Sequence, residues 1–114
     1  MTIWIWILQG LLGLAFLVAG LGKTFGSAMH REAFERWRLP QWFRVVTGLV
    51  EIAAAALLLF GYGRAGLVPY GALLVILVGI GGVTTHVRIR DTMKNTMPIL
   101  VLGLLGLVLL LGVL

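Results

Sequence analysis

The sequence predicts an all-α membrane protein: a four-transmembrane-helix bundle with a short interfacial amphipathic helix in the first loop. Three observations predict it. Hydrophobic residues make up 61% of the 114 and mean hydropathy is +1.09, well outside the range of soluble domains. Charged residues are only 11% of the chain and gather in two short segments, as a bilayer requires. Four apolar runs, residues 3–21, 45–62, 65–83 and 97–114, are each 18 or 19 residues long. At 1.5 Å per residue each reaches about 27–28 Å, just enough for a hydrocarbon core of about 30 Å. A soluble helical core would need a polar face on each helix, and none of the four has one. The chain reads as a single membrane domain.

The first run follows Met1-Thr2 with no basic region and no small-residue cleavage site, so it is expected to persist as a helix. In the connection after it, Ser27 is a candidate cap. Met29, Ala33, Phe34 and Trp37 then recur at helical spacing among His30, Arg31, Glu32, Glu35 and Arg36. That pattern predicts an interfacial amphipathic helix over 28–37. Pro40 ends it and suits the first turn of the next helix, with Trp42 and Phe43 at headgroup level. Residues 61–64, Gly-Tyr-Gly-Arg, allow only a tight turn. In the last connection, Asn95 and Thr96 are expected to cap the fourth span with Pro98 in its first turn.

The first and third connections must lie on one side, and between them they hold eight of the nine Lys and Arg residues; Arg64 alone faces the other side. The positive-inside rule then puts both termini outside the cytoplasm, in the bacterial inner membrane. A net charge of +5 and a pI near 10.9 fit nucleic-acid binders as well, but these cations flank apolar runs and form no basic domain, so no nucleic-acid partner is expected. Without cysteine the chain supplies no disulfide, thiol chemistry or iron–sulfur ligation, and any redox cofactor must be borrowed. Two histidines cannot close a metal site, so none is expected. Most of the 16 glycines lie inside the spans, where small residues let helices approach closely.

Glu51 is the one acid inside a span, where a charge costs about 2.5–3.5 kcal/mol, and an ionisable residue there is a functional candidate. It either keeps its proton or finds a cation, and the first case is favoured because Arg44 can reach the headgroups unaided. Helical spacing puts Arg44, Gly48, Glu51 and Ala55 near one face. The hairpin topology brings Lys23, Arg44 and His86 to one level, next to Thr84 and Thr85. Glu51 and His86 are therefore the candidate catalytic pair, with Lys23, Arg44, Gly48 and Thr85 as candidate ligand-binding residues. Purely structural roles compete: Lys23 and Arg44 snorkelling to phosphates, His86 capping its helix, Glu51 pairing, and Gln9 bridging helices.

The stretches Phe16-Leu-Val-Ala-Gly-Leu-Gly-Lys23, Phe34-Glu-Arg-Trp-Arg-Leu-Pro40 and Phe43-Arg-Val-Val-Thr-Gly-Leu-Val-Glu51, with His86 after them, resemble the DoxX-like small membrane proteins over about the first 90 residues. The family loop often has glycine where this chain has Arg38. The resemblance implies a four-helix membrane fold and an association with membrane oxidoreductases, including quinone-linked sulfur oxidation and oxidative-stress responses. It implies a quinone as cofactor or ligand and a redox protein as partner, with a second copy of the chain also considered. Two other readings stand beside this one. A small proton-coupled multidrug-type exporter would share the chain length and single membrane carboxylate, but such exporters carry the carboxylate in their first helix. The other is a non-catalytic structural or assembly subunit.

Overall fold

Apolar runs in lipid must satisfy their backbone internally, and here they do so as helices. The structure, a computed structural model describing residues 2–114, contains α1 (Ile3–Phe25), α2 (Ala28–Arg36), α3 (Gln41–Phe60), α4 (Val68–Arg88) and α5 (Met93–Val113). A 3-10 turn, Ala65–Leu67, leads into α4. The segments carrying α1, α3, α4 and α5 are each long and apolar enough to cross a membrane. Their outward surfaces are apolar too: Leu14 and Val18 of α1, Leu77 and Ile80 of α4, and Leu104 and Leu111 of α5 are exposed. The buried set, by contrast, includes Gln9, Arg44, Glu51, His86 and Thr96. Polar inside and apolar outside is the arrangement lipid selects.

The long helices form two pairs, α1 with α3 and α4 with α5, joined mainly through α3 and α4. Glycine sets both close approaches. A Cβ on Gly48 would lie 2.7 Å from the Thr24 backbone nitrogen and 2.9 Å from the Gly20 carbonyl oxygen; one on Gly79 would lie 2.7 Å from the Cα of Gly103. No side chain fits at either crossing. The packed core, including Leu12, Phe16, Ala54, Leu58, Val75 and Leu109, occupies the half of the bundle near the termini and the 61–67 turn. There the end of α3 leaves the Leu58 carbonyl without a backbone donor, and Gln9 Nε2 donates to it across α1 and α3 at 2.7 Å.

At the opposite end the helix boundaries shift from those expected. α3 starts at Gln41 with Pro40 as its N-cap, which puts Arg44 in its first turn. Ser27 stands at the N-cap of α2, although its hydroxyl makes no capping bond. α5 starts at Met93, not after Thr96, because Thr92 is the cap: its Oγ1 accepts from the Asn95 N–H at 3.2 Å. Thr96 instead donates its hydroxyl to the Thr92 carbonyl at 2.9 Å, and Pro98 lies inside the helix. α1, α2 and α4 all close in the same way. The N–H groups of Ser27, Leu39 and Asp91 donate back to the carbonyls of Gly22, Phe34 and His86 at 2.9, 3.0 and 2.9 Å. The preceding residues, Gly26, Arg38 and Arg90, take left-handed φ of 73°, 58° and 56°.

Candidate functional site

Beyond the packed half, the space between the two helix pairs is not filled. A cavity of about 450 Å³ opens there, walled mostly by apolar residues such as Phe43, Val46, Leu77, Val78 and Ile99. Its polar lining comes from Lys23, Thr47, Glu51, Thr85 and His86, and α2 covers it with Phe34 and Trp37.

Helix direction decides which of these groups meet. Every Cα–Cβ bond leans toward its helix's N-terminus. On α1 that lean carries Lys23 from the polar end into the bundle; on antiparallel α3 it carries Glu51 from mid-span toward that end. The two meet, with Lys23 Nζ 2.8 Å from Glu51 Oε1 and side-chain exposures of only 14% and 3%. The same rule separates Arg44 from Glu51, although both lie near one face of α3. Arg44 leans away from Glu51, donates through Nε to Gln41 Oε1 at 2.8 Å, and donates through its guanidinium to the carbonyl of Lys23. It caps the C-terminus of α1, where a cation complements the helix dipole. The structure thus sets the acid beside Lys23, the geometry of the second of the two cases weighed on sequence.

His86 is positioned by the turn that ends α4. The bond from the Asp91 N–H back to the His86 carbonyl folds Asp91 over the ring, and His86 Nδ1 lies 2.7 Å from Asp91 Oδ2. The other oxygen, Oδ1, accepts from the Thr92 backbone N–H at 2.8 Å and from Asn95 Nδ2 at 2.9 Å. The Asn95 bond first, then the His86 and Thr92 bonds, hold the Asp91 carboxyl below its ordinary value. Trp37 stands edge-on to the His86 ring with centroids 5.4 Å apart and packs on Phe34 at 5.2 Å. Arg88 donates to the Trp37 carbonyl, capping α2 and tying it to α4.

Of the six residues singled out on sequence, Lys23, Glu51, Thr85 and His86 share the cavity wall. Arg44 and Gly48 do not line it: the first caps α1 and the second forms the α1–α3 crossing. Asp91, not singled out on sequence, orients His86 from the turn after α4. Its one sequence signal was the five-residue spacing across a helix end, which becomes informative only once the chain is seen to reverse at Arg90. Phe34, Trp37 and Thr47 were not singled out as lining: the sequence left Phe34 and Trp37 to face either lipid or the bundle, and the structure turns them onto the cavity.

Four apolar helices enclosing buried ionisable side chains define a multi-pass integral membrane protein. The chain belongs to the DoxX-like family, whose profile matches residues 7–112 and so extends through α5, beyond the motifs that carried the resemblance. No curated protein and no solved structure gives a significant match.

Proposed function

We propose that this protein binds a quinone or a similar ring-bearing lipophile in the cavity under α2, as the membrane subunit of an oxidoreductase whose redox centre lies in a partner protein. The cavity carries the reading. At about 450 Å³ it lies within the size range of small-molecule sites, about 300–1,000 Å³, and it combines apolar walls with a few convergent polar groups. The walls suit a ring and its tail; Lys23, Glu51 and His86 suit oxygen substituents on the ring. Electrons would come from the partner, since the chain has no cysteine and only two histidines. The exporter reading fits less well, because an acid held by Lys23 at 2.8 Å is not free to exchange protons with a substrate.

The same proposal places the polar end in the cytoplasm and both termini outside, in a bacterial inner membrane, since eight cations stand at that end against Arg64. Mass spectrometry of lipophiles that co-purify from native membranes tests the binding. A quinone or related ring compound retained by wild type and displaced by an added short-chain quinone supports it; purification with phospholipid alone overturns it. Alkaline phosphatase fused after Leu114 should be active, and an inactive fusion beside a fluorescent green fluorescent protein fusion reverses the orientation.

A further inference from the structure

The residues lining the cavity differ in how far they are sheltered, and the difference follows their chemistry. Glu51 and His86 are buried and Lys23 is mostly covered. Among the described residues, four lining positions are exposed: Phe43 and Val46 on α3, and Leu77 and Gly81 on α4. None of the four has a polar side chain. The hydroxyls beside them are turned back onto their own helices, Thr47 donating to the Phe43 carbonyl at 2.9 Å and Thr85 to the Gly81 carbonyl at 2.8 Å. The lining residues of α1, α2 and α5, by contrast, are buried or half-buried. Ile99 of α5 is seated directly on α4, since a Cβ on Gly82 would lie 2.5 Å from its Cγ1. The cavity therefore opens sideways, through a slot between α3 and α4. Leu77 lies near the midpoint of α4, so the slot extends to the depth of the acyl chains.

Gly81 sets the width of that slot. Leu77, Gly81 and Thr85 succeed one another by one helical turn and all line the cavity, so a side chain at 81 would stand in the same row. A Cβ built there meets no atom within 4 Å, whereas one on Gly79 or Gly82 would collide with α5. Packing accounts for those two glycines and does not account for Gly81. Glycine weakens a helix interior, and at this position its one structural effect is to leave the slot open.

We propose that the ligand lies through this slot, with an oxygen-bearing head among Lys23, Glu51 and His86 and an aliphatic tail passing Phe43, Val46, Leu77 and Gly81 into the surrounding lipid. The ligand is then an amphiphile drawn from the bilayer, and Gly81 is the specificity-determining residue that admits its tail. The proposal rests on the ligand reading above and adds the tail and its route. A polar head is costly to hold in hydrocarbon without partners, so it favours the sheltered charged end. The tail exchanges one apolar surrounding for another and has no reason to leave the lipid.

Decyl-benzoquinone with a diazirine in its tail, and methylbenzoquinone as a tailless probe, test this on the full chain in nanodiscs, with binding followed by tryptophan quenching. Illumination of wild type should label residues 43–50 and 77–81, and excess unlabelled decyl-benzoquinone should abolish the label. Gly81→Leu should weaken the tailed probe at least about tenfold and the tailless one less than about threefold, the scale on which small changes of apolar volume discriminate ligands. Its helical circular dichroism should be unchanged, and Gly66→Leu, which meets open space outside the slot, should alter neither affinity. Competable label on α1, α2 or α5 overturns the slot and leaves the ligand reading standing, as does a wild type that holds only the tailless probe. Equal weakening of both probes by Gly81→Leu, or of neither, overturns the role of Gly81. The label positions decide on the slot even where that variant fails to fold. Absence of competable binding by either probe overturns both the proposal and the reading beneath it.

Discussion

Neutralising Glu51 separates two accounts of its role, and the Lys23–Glu51 geometry sets the size of the effect. At 2.8 Å and an effective dielectric of about 20, two unit charges attract by about 6 kcal/mol, most of which offsets the desolvation of both ions. The net worth of the intact pair is therefore small. Breaking it is not, because removing one charge of a buried pair leaves the other uncompensated, at about 3–5 kcal/mol. Lys23 keeps a side-chain exposure of 14% and a flexible stem that can turn toward water, so the lower end applies: Glu51→Gln should destabilise by about 3 kcal/mol. The double variant Lys23→Met, Glu51→Gln buries no charge and should recover most of that loss. Unfolding by sodium dodecyl sulfate in mixed micelles, followed by circular dichroism, gives the free energies of all four members of the cycle with Lys23→Met as the fourth. A Glu51→Gln protein within about 0.5 kcal/mol of wild type would show that no ion pair forms, and that Glu51 keeps its proton as the sequence alone favoured.

Three further outcomes follow from particular contacts. Gly48→Leu drives a side chain into the Thr24 nitrogen and the Gly20 carbonyl and should separate α1 from α3, costing more than about 2 kcal/mol in the same assay, whereas Gly66→Leu meets open space and should cost nothing measurable. Arg38→Gly relieves a left-handed φ of 58° and should stabilise by about 1 kcal/mol, while Arg38→Val should destabilise. Burial first, then the charges of Lys23 and Arg44, hold the His30 imidazole below its ordinary 6.5, so the folded protein binds fewer protons than the unfolded chain. Stability is then full above about pH 6.5 and falls as pH drops from there through the folded value; His30→Gln should flatten that acid limb, and an unchanged limb would assign it to another group.

How much of this was legible in the sequence depended on the range of the interaction. The spans, the interfacial helix and the shared side of the two polar connections follow from hydropathy, helical spacing and chain reversal, all local properties, and the structure has the same elements. Four of six site residues also reach one cavity, because the hairpin topology fixes which helix ends lie together. The pairing of those residues was less legible. Spacing put Arg44 and Glu51 on one face, but the lean of side chains toward the N-terminus matters as much as the face, and it favours a partner on an antiparallel neighbour. The start of α5 was misplaced because Thr92, Asn95 and Thr96 all cap helices well, and the backbone path out of the α4 turn selects among them. A turn of the same kind ends α2, where Arg38 takes a left-handed φ of 58°, the conformation glycine adopts without strain.

The two stitched pairs also give the bundle a seam. Glycine contacts lock α1 to α3 and α4 to α5, whereas the junction between the pairs is filled only in the half near the termini. In a bilayer such a seam feels lateral pressure, and a thinner or thicker membrane changes the tilt at which each pair sits. The filled half then acts as a fulcrum, and small rocking of one pair against the other is concentrated where the cavity lies. Across that gap runs the Arg88–Trp37 link through α2, whereas the Lys23–Glu51 pair stays within the α1–α3 wall, so membrane composition becomes an input to the width of the site as direct as any change to its lining.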